Sequence, residues 1–293
     1  MKSEHERKQE KKAKEPTARP ERVSEPEKGT RLSAVEIHDN ILAGAAEDME
    51  RPAVSLLWSS FTSGLVIGFS LLAGAYLSSY ASSEMGKQAM TAVGYPLGFI
   101  FVVLGRSELY TENTLEPIIP LLHKRDRKTL MEMLRLWGLL LLGNLVGALV
   151  FAWLLARTPM VEPELHEALR KTAEEGTRGD FGMNLYKGIF GGWLIALMAW
   201  LLASTAQRLP QIVIIWLSTA PIAAFAFRHS IVGAVEAFYR SFAGTANWGD
   251  MLSNFLLPVL IGNTIGGVVL VALLNYAQVS AELPKRAHTE GSE

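Results

Sequence analysis

Between residues 53 and 278 the chain alternates long apolar stretches with polar links. Crossing the hydrocarbon core of a bilayer takes roughly 20 mostly apolar residues. Six stretches meet that length: Val54–Tyr80, Val93–Leu122, Leu130–Ala156, Leu185–Ala206, Ile212–Phe242 and Met251–Tyr276. Four of them are continuous and read as membrane helices. The second and fifth carry polar residues in their middles, GRSELYTENT over Gly105–Thr114 and RHS over Arg228–Ser230. Charge and non-helical backbone at that depth are tolerated only where protein buries them or where they line a cavity. A matched pair of interrupted spans points to a solute site near the midplane, between two halves of the chain.

A second pattern supports two halves. The third and sixth stretches share G-N-x-x-G, as Gly143, Asn144 and Gly147 in one and Gly262, Asn263 and Gly266 in the other. Small residues four apart are common at packed membrane helices, but here each pair follows directly on a broken span. The expected fold is therefore all-α, with six transmembrane helices as two three-helix repeats. An odd number of spans per repeat inverts the second copy.

The ends differ in character. Residues 1–32 mix Lys, Arg, Glu and Pro with almost nothing apolar, which predicts a disordered charged tail. Residues 33–52 fit an interfacial helix, 53–278 the channel domain, and 279–293 a short polar C-terminal tail. No apolar h-region opens the chain, so its start does not read as a cleavable signal peptide. Basic residues in short links orient membrane proteins. His123–Lys128 (HKRDRK), Arg208, Lys285 and Arg286 share one side with both termini, which predicts cytoplasmic ends.

Composition adds little beyond this. Hydrophobic residues make up 49% of the chain and mean hydropathy is +0.19, averages that the polar ends pull down. A net charge of −1 gives no case for a nucleic-acid partner, and the absence of Cys removes thiolate chemistry. No phosphate-loop, dinucleotide or nucleophile-elbow pattern appears, so neither an enzyme nor an ATP-driven pump is expected, and no cofactor is.

His229 is the sharpest candidate for chemistry, because an ionisable residue within a span is a functional hypothesis by default. It can donate a hydrogen bond to an anion or exchange a proton near neutral pH. Arg228 and Ser230 flank it, and Glu236 follows on the same stretch. In the first interruption Thr111 offers a hydroxyl between Tyr110 and Glu112; alternatively, Thr111 or Thr114 caps a half-helix beginning near Leu115. Glu108, Glu112 and Glu116 could join His229 in a metal site, although Arg106 and Arg228 compete for those acids.

LGRSELYTENT, RLWGLLLLGNLVGA, FRHSIVG and IGNTIGG, in this order and spacing, resemble the formate/nitrite transporters, pentameric membrane channels for small monovalent anions and their acids. The resemblance covers roughly residues 33–278 and is similar in detail to an inner-membrane branch of unassigned substrate. It implies an aquaporin-like protomer with its own pore, a homo-oligomer that is a pentamer, and a bacterial inner-membrane location. It also implies that His229 is the central pore histidine and that Thr111 is the threonine reaching towards it. Tyr110 takes the place of a constricting aromatic, and Arg135 that of a basic residue near the pore. The sequence departs from the formate and nitrite members at Gly233, where they carry Asn, and at Arg228, where formate channels carry an acid.

These readings predict a channel for formate, nitrite or hydrosulfide, moving with a proton through a lipid bilayer. Two alternatives remain open: a scaffold or sensor working through the charged N-terminal tail, or a neutral-solute channel. Because residues 1–32 contribute no apolar surface, their deletion should leave membrane insertion and the assembled oligomer intact, as measured by mass in mild detergent.

Overall fold

The computed structural model describes residues 32–280, so the expected 1–32 tail, apart from its last residue, and residues 281–293 lie outside it. Besides one 3-10 turn, Glu112–Thr114, the described residues form ten long or short α-helical segments and no strand. They are α1 Ala34–Glu50, α2 Ala53–Ser78, α3 Glu84–Leu104, α4 Ile118–Lys124, α5 Arg127–Arg157, α6 Pro163–Gly176, α7 Phe181–Leu202, α8 Arg208–Ala224, α9 Ser230–Phe242 and α10 Trp248–Ser280. Of these, α2, α3, α5, α7 and α10 are long and apolar enough to cross a membrane, while α8 is a shorter apolar helix.

The boundaries shift where local capping outweighs hydropathy. Residues 84–92, read as part of a polar link, are helical. Ser83 starts α3 by accepting a hydrogen bond from the Gly86 N–H at 3.1 Å, and Lys87 bonds Glu84 one turn on. The helix then continues through Tyr95 and Pro96 into the apolar run. Within the polar 157–184 segment, α6 turns Leu169 and Ala173 fully inward and leaves its charged face outside.

Two helix pairs form the frame, α2 against α5 and α7 against α10. Both are packed to backbone contact. A Cβ on Gly147 would lie inside the Phe61 carbonyl oxygen, and one on Gly266 inside the Ile189 carbonyl oxygen. Membrane helices gain little from burying apolar surface against each other, so such close approach, with its dispersion contacts, carries the association. The same glycines make up the G-N-x-x-G echo.

At one end, α1 is tied down by polar contacts. Arg51 pairs with Glu108 and Asp48, His38 is fully buried with its Nε2 3.1 Å from Nε2 of His123, and Asn40 donates to the Ala203 carbonyl. Arg135 caps the end of α1 by donating to the carbonyls of Met49 and Arg51 at 3.4 and 3.0 Å.

The packing predicts opposite outcomes at two glycines. Gly147→Ala must push α2 from α5 and should cost about 1–3 kcal/mol, lowering the thermal midpoint in detergent. Gly44→Ala, on exposed α1 with nothing within 4 Å of the new methyl, should leave the midpoint unchanged or raise it.

Candidate functional site

Both breaks are built alike. Each incoming helix ends in the same way: Arg106 and Ala226 adopt left-handed conformations at φ 57° and 53°. The next residues, Ser107 and Phe227, donate back to the Val102 and Ile222 carbonyls at 3.1 and 2.8 Å. This is the six-to-one hydrogen bond of a Schellman ending, made here without glycine. The chain then runs extended inside the protein, where its backbone groups need partners.

Two buried asparagines supply them. Asn144 on α5 accepts from the Tyr110 N–H at 2.8 Å and donates to the carbonyls of Ser60 and Glu108 at 2.8 and 2.9 Å. Asn263 on α10 accepts from the Ser230 N–H at 2.7 Å and donates to the carbonyls of Gly188 and Arg228 at 2.7 and 2.9 Å. Each amide thus uses its acceptor and both donors on one break and its neighbouring helix. Two further amides are met by Ser59 Oγ for Glu108 and by the Lys187 carbonyl for Arg228. The echo seen in the sequence is therefore a pair of latches.

Chemistry differs at the two breaks. In the second, His229 is the residue preceding α9, and its Nδ1 accepts from the Val232 N–H at 3.1 Å. The ring proton is thereby assigned to Nε2, which lies 2.7 Å from Thr111 Oγ1 of the first break. Thr111 accepts that bond and keeps its own hydroxyl proton. Neither threonine caps a half-helix: Thr111 faces His229, and Thr114 Oγ1 bonds the Thr111 carbonyl. Phe99 packs edge-on to the imidazole at 4.9 Å between ring centres, and Leu109 is fully buried nearby in the sequence of the first break.

A cavity of about 690 Å³ ends on His229. Its outer wall is formed by Glu84 and Gln88 of α3, Glu175 of α6, Arg178 and the half-buried Lys187; Arg228 and Glu236 line it farther in. Arg228 sends Nη2 to the carbonyls of Glu175 and Arg178 at 3.1 and 2.9 Å and Nε to Asn184 Oδ1 at 3.4 Å. Its cation thus faces the negative end of α6. Ser230 is buried with an unpartnered hydroxyl. The structure therefore places His229, Arg228 and Glu236 in one cavity wall, with Thr111 bonded to the histidine and Ser230 next to it in the chain.

Three expected residues lie elsewhere. Tyr110 bonds Thr264 through its hydroxyl at 2.9 Å and packs against Trp137. Glu108 is held by Arg51 and Asn113, and Arg135 by the end of α1. Among the described residues no group of three or more acids and histidines could hold a metal ion, so the carboxylates of the first break do not join His229. Among the lining residues that escaped the sequence reading are Tyr95, which looked like ordinary apolar content, and Lys187, a lone cation within the fourth apolar stretch and therefore a usable signal.

Apolar membrane-length helices around a polar cavity that stops at buried imidazole and hydroxyl groups define a helical membrane channel or transporter. The profile described as Formate/nitrite transporter matches residues 35–277. The chain belongs to the formate/nitrite transporter family. It is 34% identical over 260 residues to Inner membrane protein YfdC of Escherichia coli (strain K12), covering 89% of this chain and 83% of that protein. Among solved structures, an FNT family ion channel superposes with a TM-score of 0.73 at 19% identity, covering 83% of this chain and 99% of the other. A pentameric formate channel with formate bound gives 0.66 at 18% identity, with 78% and 98% covered.

The latch geometry predicts a contrast. Asn263→Ala strands the Ser230 N–H and two carbonyls in a dry interior, at about 1 kcal/mol or more each, and should lower the melting midpoint strongly. Ala226→Gly relieves a left-handed residue and should stabilise by up to about 1 kcal/mol, measured by the same melt.

Proposed function

We propose that the protein is a homo-oligomeric, pentameric channel in the inner membrane that moves a small monovalent anion of the formate, nitrite or hydrosulfide class together with a proton. In this reading α8 and α9 form the fifth of six spans, the breaks relate two inverted three-helix repeats, and both termini are cytoplasmic. The observation that carries it is the 2.7 Å contact between Thr111 and His229 where the cavity ends. Family membership and the alike construction of the two breaks support the same reading.

In this reading the constriction at that contact is apolar, with Phe99 against the imidazole and Leu109 fully buried in the first break. A bare anion meets the full desolvation cost there, whereas its conjugate acid avoids most of it. An arriving solute competes with Thr111 Oγ1 for the His229 Nε2–H, or takes the Thr111 hydroxyl proton that this bond leaves free. To release a proton as an acid, the imidazole must first be protonated at Nδ1. That breaks the bond from the Val232 N–H at the start of α9. In the conformation observed, His229 therefore handles the proton by hydrogen bonding, orienting a solute that brings its own.

His229→Phe keeps the apolar volume and removes the donor. Losing a hydrogen bond to a charged or partly charged solute, about 1.5–3 kcal/mol, should lower formate flux into liposomes about 10–100-fold, with the oligomer intact. His229→Asn keeps a donor and should retain more flux. Wild-type flux in His229→Phe would reduce the histidine to a packed span residue, and flux independent of pH would favour a neutral-solute channel.

A further inference from the structure

Glu236 stands two helical turns after His229 on α9, and the residue between them on that face is Gly233, so the cavity runs open from one to the other. Glu236 and Arg228 are 7% and 5% exposed; no other Asp, Glu, Lys or Arg among the described residues is as buried. No hydrogen bond or ion pair among those residues reaches the Glu236 carboxyl group. Gly176 fits against it so closely that a Cβ there would overlap the carboxyl oxygens. The charge that acts on it is that of Arg228 from the break, and the neutral Tyr95 of α3 lies close enough to feel the charges of both. Lys187, Glu175, Arg178 and Glu84 lie farther out in the cavity wall, within reach of solvent screening.

Building on the transport reading above, we propose that Glu236, with Arg228 beside it, makes the inner cavity a subsite that binds the transported acid together with one proton. In this proposal Glu236 is ionised in the empty subsite, opposite the Arg228 cation, so that the deep pair carries no net charge. A monovalent anion entering beside it brings a second acidic group next to Glu236, with Arg228 as the one fixed cation at that depth. Two acidic groups so placed in a poorly solvated site share a single proton. Either the solute holds it and donates to the Glu236 carboxylate, or Glu236 holds it and donates to the solute anion. Both arrangements take up one proton from bulk water per solute bound, and no bond other than an O–H forms. An anion that accepts no proton is excluded. The subsite thus performs the proton pairing that the observed hydrogen bonds of His229 do not favour.

The test uses the full-length protein, with formate as probe and nitrate as an anion that stays unprotonated. Calorimetry of formate binding in two buffers of different ionisation enthalpy should give about one proton taken up per formate, and liposome flux below saturation should fall about tenfold per pH unit between about pH 5.5 and 7.5. Glu236→Gln should bring proton uptake close to none, flatten that pH slope and let nitrate compete with formate. Glu236→Asp should restore wild-type behaviour. Wild-type binding without proton uptake overturns the subsite with no variant needed, as does Glu236→Gln retaining the wild-type slope and nitrate exclusion. One proton per bound formate without any formate flux overturns the transport reading and leaves the subsite standing.

Discussion

The fold rests on how backbone is satisfied where a helix stops inside a bundle of membrane-length helices. Water is not available there to solvate an exposed N–H or carbonyl, and each orphan costs several kcal/mol. Asn144 and Asn263 meet that demand with three hydrogen bonds apiece. Their reach is short, so the helices carrying them must lie within contact of the partner helix and of the break together. That distance is what the glycines at 147 and 266 permit. Close packing, side-chain amides and broken spans are one device: remove any of the three and the other two lose their purpose.

With the breaks held, the position of each site side chain follows from a fixed backbone rather than from its own packing. Thr111 and His229 come from opposite breaks, 118 residues apart in the chain, yet meet at 2.7 Å. Each is one residue from the N–H that the latch takes, at Tyr110 and Ser230. The imidazole is further fixed by receiving the Val232 N–H, which also assigns its proton. The Arg228 guanidinium is stretched away from the imidazole to the carbonyls ending α6. A cation that looks adjacent to the histidine in sequence therefore serves as an anchor for the cavity's outer wall.

Much of this was legible in the sequence for physical reasons that the structure makes plain. Polar runs inside apolar stretches are costly unless used, so RHS and GRSELYTENT marked the breaks. The G-N-x-x-G echo was visible as a repeat, but that its asparagines tie the breaks depends on partners more than 30 residues away. Hydropathy set the start of the second span at Val93, whereas Ser83 and the Glu84–Lys87 pair begin the helix earlier; the capping signal was present and carried more local information than the apolar average. The family resemblance put Arg135 near the pore and charge in the first break singled out Glu108, but in the structure both seat α1, a contact between distant segments that no local pattern encodes.

The two breaks share backbone and latches but not side chains. At matching positions Glu108 stands against Arg228, Leu109 against His229 and Tyr110 against Ser230, so that duplicated scaffolding carries unequal chemistry. On one side Glu108 is paired with Arg51 at the end of α1; on the other Arg228 and Glu236 face an open cavity. The side of the imidazole that bears Arg228 and Glu236 is therefore open and charged, while the first break is closed off by an ion pair and a helix end. The asymmetry is then a property of which residues fill two alike frames, and the frames themselves impose none.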